Sequence, residues 1–149
     1  MERKKRPLIT LYTPGNRPDL IEKAARFEPD GIVIDFEDAV PLHLKAETRE
    51  NVSKLLPSLN MLALVRVNSE PQFLEDDLKA VVSPYIYGIG LPMAESVEQV
   101  QNADRIITGL ERELRFHAVR RREPIAGQRV VQRRRALLRR LAHRTREQK

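Results

Sequence analysis

Four short apolar runs punctuate the chain: Leu8–Tyr12, Ile32–Phe36, Leu62–Val67 and Ile86–Leu91. Each is rich in β-branched or bulky residues and nearly continuous in hydrophobicity, the pattern of strands covered on both faces in a parallel sheet. Their starts lie 24, 30 and 24 residues apart, too far for hairpins, so crossover helices are expected between them.

The intervening segments supply those helices. Asn16 is placed to cap a first helix that opens with Pro18 and Asp19 and carries Leu20, Ile21, Ala24 and Ala25 on one stripe. A second is predicted over 44–56, with Val52, Leu55 and Leu56 inward and Glu47, Arg49 and Glu50 outward. A third is predicted over 73–82, with Glu75, Asp76 and Asp77 at its positive N-terminal end. The fourth begins at Ser96, which forms a capping-box pattern with Gln99, and its apolar positions Val97, Val100, Ile106, Ile107 and Leu110 recur to Glu113.

Four βα units fit either an open doubly wound sheet or a closed eight-stranded barrel. No glycine-rich phosphate fingerprint follows the first strand, which favours the barrel. A (β/α)8 barrel takes roughly 250 residues, so the α/β fold expected here is the first half of a TIM barrel, a truncated domain over 7–113.

Charge changes the picture at that point. Of the 149 residues, those up to 114 hold 14 Lys and Arg against 19 Asp and Glu, whereas 115–149 hold 13 against 2, and the whole chain is +6. Residues 114–149 are therefore set apart as a basic tail, with 12 Arg to 1 Lys. It is either a basic appendage or a segment foreign to the fold, such as the product of a shifted reading frame, and the second is favoured. Leu137, Leu138 and Leu141 among its arginines suit a basic amphipathic helix that would meet phosphates or anionic surfaces without selectivity.

The absence of cysteine excludes disulfides, thiolate nucleophiles and Cys-ligated metals, and seven aromatics with no Trp argue against a stacking platform for nucleic acid. No apolar run is long enough to span a bilayer or to serve as a secretory signal, so a cytoplasmic protein is expected. His43, His117 and His143 have no metal-ligand or triad spacing.

In a parallel α/β fold the residues just past each strand gather on one rim. Here they are Thr13–Arg17, Asp35–Asp38, Arg66–Glu70 and Pro92–Glu95. Arg66 is the sharpest candidate, because an arginine inside LALVRVN cannot be buried without a partner and its forked guanidinium suits a carboxylate or acyl oxygen. An internal ion pair to Asp35, Glu37 or Asp38 is the simpler reading, and the two can coexist. The three acids are hard oxygen ligands of the kind Mg2+ uses, though an acidic cluster after a strand more often marks a helix start. Pro14–Arg17 could offer N–H groups and a cation to a phosphorylated ligand, but a Pro-Gly pair is usually a turn.

Together PGNRP at 14–18, D-x-E-D-A-V at 35–40 with Lys45 and Arg49 beyond it, RVN at 66–68 and G-I-x-L-P at 88–92 with Glu95 resemble the HpcH/HpaI aldolase/citrate lyase β-subunit family, in its CitE-like branch. The resemblance implies a Mg2+-dependent carbon–carbon lyase acting on a 3-hydroxy acid or its CoA thioester, citryl-CoA or malyl-CoA for example. It assigns Arg66 and Asn68 to substrate, Glu37 and Asp38 to the pocket near the metal, and Arg17 to the CoA phosphates. A homo-oligomer is expected of a complete chain. Two departures stand out: Met93 where the family often has Lys, and no counterpart of the family's Mg2+ ligands on the fifth and sixth strands. The competing readings are an inactive truncated fragment and a non-specific nucleic-acid or anionic-surface binder acting through 115–149.

Overall fold

The computed structural model describes residues 9–121. Over that span β1 (Thr10–Pro14), β2 (Gly31–Asp35), β3 (Leu62–Arg66) and β4 (Gly88–Gly90) alternate with α1 (Pro18–Lys23), α2 (Lys45–Leu55), α3 (Pro71–Val81) and α4 (Val97–Arg121). The strands are all parallel and lie in the order β1-β2-β3-β4. A doubly wound sheet reverses its strand order, and this one does not. Each helix also packs against the next, α1 on α2, α2 on α3 and α3 on α4. Sequential parallel strands backed by a row of neighbouring helices match an arc of a barrel.

Strand alternation sorts the side chains between two faces. Ile32 and Ile34 of β2 and Ala63 and Val65 of β3 are fully buried, packed with Ile21, Val52, Leu56, Leu74, Leu78 and Ile107 in one core. The other face carries Tyr12, Val33 and Leu64 in register with Gly88, and one step on, Asp35 and Arg66 in register with Gly90. Tyr12 and Leu62 are exposed there.

The observed strand ends differ from the apolar runs in instructive ways. β1 runs to Pro14, two residues past Tyr12, because the ladder to β2 continues through Thr13 and Pro14. Proline is tolerated on this outer strand, where its missing N–H costs no ladder bond. Gly15 then closes the turn by donating its N–H to Asp35 O at 2.8 Å. β4 is only three residues long, although Tyr87 N bonds Ala63 O and Val67 N bonds Gly90 O at either end of it.

Two helix starts and one side-chain orientation differ from expectation. Arg17, not Asn16, is the N-cap of α1, which begins directly at Pro18, and Asn16 Oδ1 is buried without a hydrogen-bond partner. α3 opens at Pro71 after Glu70, so Asp77 stands in its second turn and is fully buried rather than lying at the helix start. Arg49, expected to point outward from α2, pairs instead with Asp77. The capping box of α4 forms as expected: Ser96 Oγ accepts Gln99 N at 3.3 Å, while Gln99 Oε1 accepts the N–H groups of Glu95 and Ser96. α4 runs on across Leu114 to Arg121. The amphipathic pattern at Leu137–Leu141 lies outside the described residues.

Candidate functional site

Asp35 ends β2 and Arg66 ends β3, and the sheet register sets them side by side. Both point to the face that carries Tyr12, so the guanidinium lies over the Tyr12 ring, 5.6 Å from its centroid. Arg66 Nε and Nη2 donate to the two oxygens of Asp35 at 2.7 and 2.6 Å, a bidentate pair, and Nη2 also donates to Asp38 Oδ2 at 3.2 Å. Nη1 stands 3.1 Å from Glu37 Oε2. The internal ion pair foreseen for Arg66 is thus present, with all three acids engaged.

The loop after β2 is shaped by Asp35 itself. Its Oδ1 accepts Glu37 N at 2.9 Å and its Oδ2 accepts Ala39 N at 3.2 Å, an Asx-type turn that brings the Glu37 and Asp38 side chains round to Arg66. Burial pushes the Asp35 carboxyl up, but the Arg66 hydrogen bonds and the two N–H groups outweigh it and hold the carboxyl below its ordinary value. Asp35 in turn raises the Arg66 guanidinium further above its ordinary range. Glu37 moves the other way. Desolvation, reinforced by Asp38, Asp35 and Glu70, overcomes the pull of Arg66 and leaves its carboxyl above the usual Glu value.

These roles are unequal. Asp35 is 5% exposed and Glu37 15%, whereas Asp38 is 78% exposed and makes the longest contact, so it is the loosest of the three partners. Asp35 is the fixed base plate of the guanidinium. Nη1 meets only Glu37 among the described residues, so a ligand arriving at that end has one carboxylate to displace, whereas Nη2 stays tied to Asp35 even when Asp38 leaves.

The resemblance assigns Asn68 to substrate. It is 2% exposed, both Nδ2 hydrogens are spent on Phe36 O and Asp77 Oδ2, and its Oδ1 accepts Lys45 Nζ. Its amide supports the rim from behind, with these hydrogen-bonding groups engaged inside the protein. Arg17, on the loop after β1, is exposed and paired with Asp19 through Nε at 2.9 Å and Nη2 at 3.0 Å, which offsets the charge it would bring to a phosphate. Met93, after β4, has a left-handed backbone with φ of 46° and an exposed side chain, a conformation that costs about 1 kcal/mol for a residue with a Cβ.

Sequence reasoning missed Tyr12 and Asp77. The signal for Asp77 is in the helix period: Leu74, Asp77, Leu78 and Val81 form the buried stripe of α3, so a carboxylate there had to be a buried, partnered charge.

Mg2+ requires about six oxygen ligands at roughly 2.0–2.1 Å around one point. Asp35, Glu37 and Asp38 converge instead on a guanidinium that already occupies that point, and no group among the described residues has three His, Cys, Asp or Glu placed to hold a metal. These carboxylates are not a Mg2+ site.

Comparison with known proteins identifies the family. The HpcH/HpaI aldolase/citrate lyase family matches residues 8–137. The chain is 33% identical over 107 residues to the citrate lyase subunit beta of Leuconostoc mesenteroides, covering 69% of this chain and 35% of that protein. It is 42% identical over 93 residues to a citrate lyase subunit beta-like protein of Deinococcus radiodurans, covering 57% and 32%. It is also 31% identical over 109 residues to an L-malyl-CoA/beta-methylmalyl-CoA lyase of Cereibacter sphaeroides, covering 68% and 34%. The chain therefore spans about a third of the length of these relatives. Among solved structures it resembles CitE of Mycobacterium tuberculosis complexed with the triphosphate group of ATP, with a TM-score of 0.52 and 27% identity over 62% of this chain and 41% of that one. The family match spans most of the chain, and the chain belongs to the HpcH/HpaI aldolase/citrate lyase family.

Proposed function

We propose that this chain carries the rim of a carbon–carbon lyase or aldolase that grips the oxo-acid end of a 3-hydroxy acid or of its CoA thioester, of the citryl-CoA or malyl-CoA kind. The observation that supports it is the asymmetric clamp on Arg66, closed by Asp35 on one side and held only by Glu37 at Nη1. A substrate carboxylate or oxo oxygen takes the place of Glu37 at Nη1, where a charge-assisted hydrogen bond orients it. The Tyr12 ring beneath the guanidinium limits the approach to one side.

Cleavage of a 3-hydroxy acid between its second and third carbons removes the hydroxyl proton, converts that carbon to a carbonyl and leaves the bonding electrons on the acetyl fragment as an enolate, which is then protonated. Glu37, a desolvated carboxyl beside the bound oxygen, is placed to exchange the hydroxyl proton, and its raised affinity for protons suits that task. Arg66 holds the oxygen as it becomes a carbonyl. The Mg2+ that the resemblance implies has no place among these residues, and nothing in this scheme depends on it.

The test is calorimetric titration of the full chain with oxaloacetate and glyoxylate. Binding that disappears in Arg66→Ala supports the reading. Equal affinity in the two proteins removes Arg66 from substrate recognition.

A further inference from the structure

Behind the rim, Asp77, Asn68, Lys45 and Arg49 close into one buried network. Asp77 is fully buried in the apolar stripe of α3, where its neighbours are Leu74, Leu78 and Val81. Its Oδ1 accepts Arg49 Nε at 2.7 Å, and its Oδ2 accepts both Asn68 N at 2.8 Å and Asn68 Nδ2 at 2.7 Å. Packing alone does not account for an aspartate here, since a leucine would fill the stripe without the penalty of burying a charge.

The network reaches the rim through one peptide unit. The Phe36 carbonyl accepts Asn68 Nδ2 at 3.1 Å and Lys45 Nζ at 2.8 Å. Lys45 spends its other two donors on Glu37 O and Asn68 Oδ1, so its ammonium is saturated. On the opposite side of the same peptide, Glu37 N donates to Asp35 Oδ1, the oxygen that also accepts Arg66 Nε. One rigid plane thus links the buried amide of Asn68 to the carboxylate that grips Arg66.

We propose that Asp77 is a positioning residue for the rim: by anchoring Asn68 it fixes the plane of the Phe36–Glu37 peptide and so the angle at which Asp35 holds Arg66. The effect on the guanidinium follows from geometry alone, and only the consequence for ligand rests on the function proposed for Arg66. An asparagine at 77 keeps the shape but sets an N–H against the donors of Asn68 or Arg49, leaving the Arg49 guanidinium without its buried anion.

The experiment follows the Arg66 Nε–Hε signal by NMR in the full chain, assigned by its loss in Arg66→Lys, with folding monitored by circular dichroism. In Asp77→Asn the Hε exchanges with water about tenfold faster, the cost of one loosened buried hydrogen bond, and oxaloacetate binding weakens by a similar factor. Lys45→Gln, which cuts the link at the Phe36 carbonyl and leaves Asp77 and Arg49 in place, gives the same result. Asp76→Asn, at an exposed position 3.9 Å from Arg49, changes neither. An Arg66 Hε signal unaltered in folded Asp77→Asn overturns the proposal. If that variant does not fold, an unaltered signal in Lys45→Gln does so. Faster exchange in proteins that never bind oxaloacetate upholds the positioning role and overturns only the substrate reading.

Discussion

Asp35 and Arg66 are register partners on neighbouring parallel strands, and their side chains close a two-bond fork, Nε to Oδ1 at 2.7 Å and Nη2 to Oδ2 at 2.6 Å. Parallel register places both on one face at one height, so the fork is set by the backbone ladder before any loop is considered. The same Asp35 carboxylate accepts the N–H groups of Glu37 and Ala39, which makes it the organising group of the rim.

Arg66→Ala therefore strands a carboxylate that is 5% exposed. The expected loss is about 2–3 kcal/mol of unfolding free energy, kept below that of a fully buried pair by the partial exposure of the arginine. Arg66→Lys restores the charge but not the fork and recovers less than half of it. Urea unfolding of the three proteins checks the order.

Acid should weaken the fold through Asp35. Its carboxyl lies below the ordinary value of 3.8, so the folded chain holds the ionised form more tightly than the unfolded chain does. That contribution is complete above the ordinary value and is lost as pH falls through the lowered one. The urea midpoint of the parent should drop between neutral pH and about pH 3 more steeply than that of Asp35→Asn. Parallel slopes would exclude Asp35 as the source.

Glu37 has the opposite sign. Its carboxyl sits above the ordinary 4.5, so its proton is favoured in the fold, and the stability this brings is lost as pH rises through the raised value. As pH falls toward that value, Glu37 becomes neutral and ceases to repel an incoming anion. Oxaloacetate should then bind more tightly, and Glu37→Gln should bind it about three- to tenfold more tightly near neutral pH, with little pH dependence. A calorimetric pH series on both proteins decides this.

Gly15→Ala tests how closely the β1 turn approaches the rim. An added Cβ would meet Asp35 O at 2.8 Å and the Phe36 ring and Thr48 methyl at 2.9 Å. The backbone oxygen cannot give way cheaply, so a loss of about 1–3 kcal/mol is expected, together with weaker anion binding as Asp35 shifts. Thermal unfolding and the oxaloacetate titration report the two effects.

The resemblance to a lyase family was legible in short motifs, and the comparisons place the chain in that family. Four parallel strands with crossover helices were legible too, because nearly continuous apolar runs at 24- to 30-residue spacing admit few other arrangements. Arg66 declared itself by being a charge inside such a run. The opening of α3 was misread because Glu75, Asp76 and Asp77 look like a helix start, although Pro71 already supplies one.

What the sequence determined by itself was each local choice: runs that must be buried, the α4 capping box, and a cation that needed a partner. Tertiary structure decided which partners converge. Asp77 meets Asn68 nine residues away and Arg49 twenty-eight away, and Lys45 meets Asn68 across twenty-three. Asn68, assigned to substrate by the resemblance, has its side chain engaged by them. A charge buried by helix packing must be matched by whatever donors the neighbouring elements bring, and their identity is settled only when strand register and helix rotation lock together.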